Sequence, residues 1–379
     1  MPEMKNKTVL LRCDLNSGLV NNKLKSSERI KASAETIKDL KRQKAKIVIL
    51  AHQGRPGKDD FISLEQHAKR LSRYTKVEFV KDTTGKKAKE AIKNLKPGKA
   101  ILLENIRKES DEFNPNKKSN SIVKNLVPLA DAYMNDAFSI CHREQTSITR
   151  LPRELPSYIG KTMQKELKAL EKTNLKNATY ILGGAKPEDN INLLKENKVL
   201  TGGLFGPLCL IAKGYNLGKE EEVLKDKQKL VPQLKKKLNK NVIMQKDFGI
   251  RTKESGKEKR KEISLEDLPS QKRLLDIGEK TIQEHEKHIK KAKSIYIKGP
   301  MGYYKDTKFN KGTSRILKAI ARSKAYSIIG GGDLTEALKK TKINKNNFDH
   351  VSLAGGALLN YIAGEKLPGL EALKNKKEE

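Results

Sequence analysis

Short apolar runs recur along this chain, each followed by a stretch whose apolar residues return at helical spacing, and that alternation leaves few folds open. In the first half the runs are VLLRCDL (9–15), KIVIL (46–50), VEFV (77–80), AILLEN (100–105) and AYMNDAF (132–138). Runs that are apolar at successive positions suit strands buried on both faces, the condition of a parallel sheet covered by helices. Between the first two runs, Ile30, Ala34, Ile37 and Leu40 fall on one helical face, so strand, helix and strand make a parallel crossover unit. Ser63-Leu64-Glu65-Gln66 has the form of a capping box and predicts a helix carrying Leu64, Ala68 and Leu71. Further helices are predicted around 88–95 and 122–129.

A longer helical pattern with Ile159, Met163, Leu167 and Leu170 in register leads into a second series. Its runs are TYILGG (179–184), VLTGG (199–203), VIMQKD (242–247), SIYIKGPMG (294–302), YSIIGGGD (326–333) and HVSLAGG (350–356), and in all but VIMQKD the apolar stretch gives way to glycine. The charged stretch 251–262 interrupts the series and predicts a surface hairpin or loop. Single cores stop growing near ~250–300 residues, so 379 residues suit two domains. The expectation is an α/β protein with two doubly wound, Rossmann-like, three-layer αβα domains of parallel sheet joined by a hinge helix, with boundaries at 1–156 and 157–363.

The chain carries 80 Lys plus Arg against 46 Asp plus Glu, a formal charge of +34, which favours anionic partners. The lysines are spread along the whole length and aromatics make up only 5%, so they suit solvated faces better than a stacking platform for nucleic acid. No specific nucleic-acid partner is expected. No apolar run approaches the ~18 residues of a membrane helix, and Met1-Pro2-Glu3-Met4-Lys5 has no signal-peptide character, so the expectation is a cytoplasmic protein with no membrane partner. Cys13, Cys141 and Cys209 are scattered and odd in number, which suits buried small hydrophobes rather than disulfides or a zinc site. His285 and His288, between Glu284 and Glu286, are assigned to a solvated helix face.

Glycines at the carboxyl ends of parallel strands let backbone N–H groups and helix N-termini approach phosphate oxygens, and ligands of open α/β sheets bind at that edge. Neither G-x-G-x-x-G nor a P-loop is present, which excludes the standard dinucleotide and Walker sites. In the first half the strand ends carry polar residues of one kind: Asp14 and Asn16; His52 and Arg55; Glu104, Asn105 and Arg107; and Asn135, Asp136, His142 and Arg143. With Arg29 they form a set that one sheet edge could converge on a compact anion, because a guanidinium donates two parallel hydrogen bonds to phosphate or carboxylate. An anionic small substrate on a basic first lobe and a phosphorylated ligand on a glycine-rich second lobe point to phosphoryl transfer. The absence of an evident nucleophile or base fits an acceptor that is already ionised, such as a carboxylate.

At this point the chain resembles the phosphoglycerate kinase family, most closely its archaeal branch. The likeness runs through LLRCDLN (10–16), ERIKASAETI (28–37), ILAHQGRPG (49–57), LLENIR (102–107), YMNDAFSICHR (133–143), ILGGAK (181–186), KGPMG (298–302), IIGGGD (328–333) and GEKLPGLEAL (364–373), in the family's order. The resemblance implies reversible transfer of a phosphoryl group between 1,3-bisphosphoglycerate with ADP and 3-phosphoglycerate with ATP, with Mg2+, by a cytoplasmic monomer whose lobes close about a hinge. It implies a substrate patch of Asp14, Asn16, Arg29, His52, Arg55, Arg107 and Arg143, with Arg29 also stabilising the transferring group. It assigns nucleotide contacts to Lys186, Gly299, Lys305, Gly331, Gly332 and Asp333, catalytic roles to Arg29, Lys186 and Gly332, and the metal to Asp333. It returns the tail 364–379 to the first lobe.

The second lobe departs from that pattern. Lys298 precedes Gly-Pro where many members have Asn, and Asn190 stands where many have a second lysine. Lys305 occupies the usual place of a ribose-binding glutamate, and Leu334 follows Gly-Gly-Asp where Thr is common. These changes and the charge of +34 keep a second reading open, a catalytically weakened relative that binds nucleotide or nucleic acid.

Overall fold

In the structure, a computed structural model, residues 3–25, 27–173 and 175–374 are described. They divide into two compact units, one running to Leu167 and resuming at Gly356, the other Lys168–Gly355. The division falls inside the helix Lys161–Lys172. Of the tail 364–379, residues 375–379 lie outside the described residues.

The first unit contains β1 (Thr8–Arg12), a small hairpin of β2 (Leu19–Val20) and β3 (Lys23–Leu24), then β4 (Lys46–Leu50), β5 (Glu78–Val80), β6 (Ala100–Leu103), β7 (Ala132–Asn135) and β8 (Ser157–Ile159). Apart from the hairpin, these strands form one parallel sheet in the order β5-β6-β4-β1-β7-β8. Alternate residues face opposite layers: Leu11, Ile49 and Met134 pack with Ile30, Ile37 and Leu40 of the helix Glu28–Arg42, while Leu10, Val48 and Tyr133 pack with Ile92 and Ile122. Helices on both faces explain why the strand runs are continuously apolar.

Two local expectations fail. Ile159 does not lie on the long helix but ends a sixth strand of the sheet, Ser157–Ile159; Tyr133 N donates to Pro156 O at 2.9 Å, and the helix begins only at Lys161. The capping box at Ser63 does not form, because Gln66 spends its amide on the small hairpin, accepting from Leu24 N and donating to Asn22 O.

The second unit contains β9 (Thr179–Leu182), β10 (Val199–Thr201), β11 (Val242–Ile243), β12 (Asp247–Glu254), β13 (Lys257–Ser264), β14 (Leu274–Ile277), β15 (Ser294–Lys298), β16 (Tyr326–Gly330) and β17 (His350–Val351). Six of them make a parallel sheet ordered β11-β10-β9-β15-β16-β17, and β13-β12-β14 make a separate antiparallel sheet. The run VIMQKD therefore serves two sheets, ending β11 at Ile243 and beginning β12 at Asp247. The charged stretch is the β12–β13 hairpin, where Arg251 pairs with Asp306 at 2.7 Å and Lys259 with Glu254 at 2.7 Å.

The three cysteines are free and buried. His285 departs from expectation: it is fully buried, with Nε2 3.0 Å from Thr201 O, and burial lowers its pKa to about 4. No described helix is long and apolar enough to cross a membrane.

Candidate active site

In each parallel sheet two neighbouring strands send their onward crossovers in opposite directions, β1 and β7 in the first unit and β9 and β15 in the second. The carboxyl ends of strands flanking such a point form a crevice for ligands.

At the end of β1, Arg12 is fully buried and makes three contacts: Nε donates to Ser147 Oγ at 2.8 Å, Nη1 to Cys13 O at 2.6 Å, and Nη2 reaches His52 Nδ1 at 3.2 Å. Ser147 passes the link on, its N and Oγ donating to the buried Glu112 carboxylate at 2.9 and 2.6 Å. Burial pushes the Glu112 carboxyl up, opposed by the Arg12 charge. Burial, and then the charges of Arg12, Arg107, Arg143 and Arg29, hold His52 well below the ordinary imidazole value, so its ring is neutral.

AHQGRPG ends β4 and knots the site together. Gly54, at φ +69, has no room for a side chain: an added Cβ would lie 2.3 Å from Asp60 O. Its N–H donates to Asn16 Oδ1 at 3.0 Å, and its carbonyl accepts from Arg107 Nη1 at 2.5 Å. Arg107 also reaches Gln145 Oε1 at 3.5 Å, and its Nε is buried without a partner. Burial, then Arg12 and Arg143, lower its pKa to about 10. Arg29 pairs with Asp14 at 3.1 Å and donates to Asn16 O at 3.2 Å; Asp14 also accepts from Ser139 Oγ. Arg143 is half-buried, with burial and then the charge of exposed Arg55 disfavouring its cation.

The first unit thus gathers Arg12, Arg29, Arg55, Arg107 and Arg143, with Asp14 and Glu112 the carboxylates among them. That surplus of partly desolvated positive charge is costly without an anion and favourable with one. Glu104, Asn105, Asn135 and Asp136, by contrast, are brackets of the fold. Glu104 accepts from Leu64 N and Asn105 N, Asn105 Nδ2 holds Gln53 O and Ile62 O, Asn135 Oδ1 accepts from Ala137 N, and Asp136 Oδ1 caps the helix at Thr162 N and Met163 N. Sequence reasoning missed Arg12, Glu112 and Ser147. The available signal was an arginine inside an apolar run, since a buried charge requires partners.

In the second unit the strand-end glycines fall into two groups. Gly183, Gly184, Gly203 and Gly299 pack backbone on backbone where β9, β10 and β15 end: a Cβ on Gly203 would lie 2.3 Å from Gly184 N, and one on Gly299 would lie 2.6 Å from Gly183 C. Those glycines make close strand ends possible. Gly331, Gly332 and Gly355 have nothing within 4 Å of an added Cβ. Gly331, at φ +98, caps the helix Gly332–Thr341, so bare backbone at a helix N-terminus is open to an anion, with exposed Asp333 in the first turn.

A cleft of ≈ 1100 Å³ lies between the parallel and antiparallel sheets of this unit. Leu204, Phe248, Leu275, Met301 and Tyr304 give it apolar walls, Gly184 and Gly203 line it, and Lys305 and Asp333 reach it. Lys186 is exposed on the turn two residues beyond Gly184. Lys298 and Asn190, two of the departures in this lobe, meet: Lys298 Nζ lies 3.1 Å from Asn190 Oδ1. Among the described residues no group of three or more His, Cys, Asp or Glu could hold a metal ion. Asp333 offers the cleft one exposed carboxylate, fewer ligands than a cation caged by protein needs.

An arginine-rich sheet edge on one doubly wound unit and a walled cleft beside an open helix N-terminus on the other define a small-molecule kinase. The phosphoglycerate kinase family model matches residues 2–365, and the chain belongs to that family. It is 42% identical to the phosphoglycerate kinase of Sulfurisphaera tokodaii over 396 residues, covering 98% of this chain and 94% of the relative, and 39% identical to that of Methanopyrus kandleri over 392 residues, covering 98% and 95%. The crystal structure of phosphoglycerate kinase from Pyrococcus horikoshii OT3 is similar with a TM-score of 0.88 at 36% identity, covering 98% of this chain and 97% of that one. The enzyme from Coxiella burnetii gives 0.81 at 31% identity, with the same coverage.

Proposed function

We propose that this chain is a phosphoglycerate kinase, transferring a phosphoryl group reversibly between the acyl phosphate of 1,3-bisphosphoglycerate and ADP, and that its residues divide the work as follows. The observation that carries the division is the arginine cluster around neutral His52. A substrate with a phosphate at one end and a carboxylate at the other meets its demand for negative charge and for planar, two-pronged donors. Arg55, Arg107 and Arg143 bind the phosphate end. His52, accepting from Arg12 at Nδ1, offers its Nε2–H as a donor without adding charge. Asp14 and Asn16 aim Arg29, through the 3.1 Å ion pair and the 3.2 Å carbonyl contact, at the carboxyl group and the phosphoryl it receives.

The apolar cleft takes the base and sugar of the nucleotide, and Lys186 with the open backbone of Gly331 and Gly332 takes its phosphates. Gly299 contributes by letting β15 close against Gly183. Lys305 lines the cleft but has no acceptor for ribose hydroxyls, so it serves the nucleotide through charge alone. Asp333 would hold Mg2+, which when bound would supply positive charge against that on the transferring group. The acceptor carboxylate is ionised at neutral pH and needs no protein base. The same reading makes the protein a cytoplasmic monomer acting on small molecules.

The test couples ATP, Mg2+ and 3-phosphoglycerate to glyceraldehyde-3-phosphate dehydrogenase and follows NADH, comparing wild type with Arg143→Ala. Turnover by wild type that the variant loses supports the reading. Silence from folded wild type with several nucleotides sinks it.

A further inference from the structure

Gln53 stands between His52 and Gly54, just past the end of β4, and yet it is only 1% exposed. Its amide is fully engaged: Nε2 donates to Ser17 O at 3.0 Å and to Asp60 O at 3.3 Å, while Oε1 accepts from Ser17 N at 2.9 Å and lies 3.1 Å from His67 Nε2. The two backbone carbonyls can only accept, so they fix which end of the amide is the NH2 group. The oxygen at the other end in turn requires the proton of His67 to sit on Nε2. His67, on the helix Glu65–Leu71, is fully buried, and its Nδ1 has no hydrogen-bond partner. Burial lowers its pKa to about 4, so the neutral ring stays a donor to Gln53. An apolar ring would fill the same space without an orphaned nitrogen. The bond to Gln53 is what the histidine adds.

The amide joins two segments that carry substrate groups. Ser17, bonded to it through both N and O, closes the turn 14–17, in which Asp14 Oδ1 accepts from Asn16 N at 3.0 Å. The same turn holds Arg29, through the 3.1 Å ion pair with Asp14 and the 3.2 Å bond to Asn16 O. On the other side, Asp60 O fills the space beside Gly54, and Arg55 N donates to Asp60 Oδ1 at 3.4 Å. Gly54 N and Asn16 Oδ1, at 3.0 Å, link the two segments once more. A single bond leaves rotation about itself free, whereas the paired bonds between Gln53 and Ser17 remove it. With every polar atom of its side chain engaged, Gln53 has none left for a ligand.

We propose that Gln53, turned by His67, is a positioning residue: it locks the turn 14–17 onto the segment 52–55 and so sets the aim of Arg29 at the carboxyl group that accepts the phosphoryl. The inference rests on the functional reading above. Neither residue touches substrate or moves a proton. Their effect reaches the reaction through Asp14, Asn16 and Arg29, and it falls on the acceptor rather than on the nucleotide, because a donor displaced by a fraction of its bond length loses its alignment with the reacting group.

The experiment compares wild type with Gln53→Met, which keeps the length of the side chain and removes its amide, and with the pair His67→Phe and His67→Gln. The coupled assay gives kcat and a KM for each substrate, and thermal unfolding is followed alongside. Gln53→Met should lower kcat about tenfold and raise the KM for 3-phosphoglycerate about tenfold, with the KM for ATP unchanged. His67→Phe should shift the same two constants in the same direction, and His67→Gln, which returns a donor to Gln53 Oε1, should recover most of the loss. A Gln53→Met enzyme that melts lower but keeps both constants makes the amide a staple of the fold alone and overturns the proposal. So does one whose KM rises alike for both substrates, and so do two His67 variants that behave alike. If Gln53→Met does not fold, the His67 pair decides: loss in the first with recovery in the second supports the role, and equal behaviour refutes it. Wild type without turnover overturns the functional reading and this role together, whereas wild-type turnover with unaffected variants overturns this role alone.

Discussion

Arg12 Nη2 lies 3.2 Å from His52 Nδ1, and because a guanidinium only donates, the histidine must accept there. A neutral imidazole that accepts at Nδ1 carries its proton on Nε2. One buried arginine therefore sets which edge of His52 can donate to an anion, while its charge and those of its neighbours keep the ring from titrating.

In nitrogen-15 NMR of the free protein, His52 should be the neutral Nε2–H tautomer at pH 6.5, where an ordinary histidine is half protonated. The ordinary histidine value is 6.5 and burial moves this one well below it. A doubly protonated ring at that pH would show that the arginine network does not act on it as described.

Arg29 and Arg107 should respond oppositely to truncation. Arg29 is partly exposed, and its buried partner Asp14 keeps Asn16 N and Ser139 Oγ as donors when the guanidinium is removed, so the lost contact costs about 1 kcal/mol. Arg29→Ala should thus melt near wild type yet lose at least ~100-fold in kcat. Arg107 is 4% exposed and its guanidinium bridges Gly54 O and Gln145. Arg107→Ala leaves those acceptors buried and should cost about 1–3 kcal/mol per orphaned group, visible in urea unfolding. Near-wild-type turnover by Arg29→Ala would remove that residue from the reaction.

How far the sequence foretold this arrangement depended on the range over which each signal acts. The alternation of KIVIL or TYILGG with helical stretches is local, and both parallel sheets follow from it. The β8 strand Ser157–Ile159 was hidden because three half-buried residues give no period; its pairing with β7 is a tertiary event. VIMQKD looked like one strand because nothing local marks a change of sheet at Lys246. His52, Arg55, Arg107 and Arg143 announced themselves as basic residues at strand ends, whereas Arg12 was masked by Leu10 and Leu11 and found its partners 40 and 135 residues away. The glycines gave one signal for two jobs, and only their surroundings separate Gly203 from Gly332.

That separation predicts a divergence between two conservative changes. Gly203→Ala sets a methyl group 2.3 Å from Gly184 N at a residue with φ +54, so the strand end must open, at about 1–3 kcal/mol or more. Gly332→Ala enters empty space at the first residue of a helix. It should leave the melting temperature unchanged or raised, while weakening ATP by about tenfold, if a phosphate needs that backbone within reach. Unchanged ATP affinity in Gly332→Ala would move the phosphates elsewhere.

Asp136 offers a test of the fold's electrostatics away from the ligands. It is 2% exposed; Oδ1 caps the helix Lys161–Lys172, while Oδ2 has no hydrogen-bond partner and sits by Thr36, whose Oγ1 is likewise unpaired. Burial raises its pKa from 3.8 to about 6, so above pH 6 the native state must carry a buried carboxylate that the unfolded chain carries in water. The sign follows: the protonated form stabilises the fold below pH 3.8, and that stability is lost as pH rises through about 6. Asp136→Asn keeps the accepting oxygen for Thr162 N and Met163 N and turns the orphan atom into a neutral donor facing Thr36. At pH 8 it should stabilise the protein by about 1–3 kcal/mol, an advantage that shrinks between pH 6 and pH 4 and vanishes below. Urea unfolding of both proteins across that range measures the difference directly. A variant that is less stable at pH 8 would mean that the charge on Asp136 strengthens the helix cap by more than its burial costs.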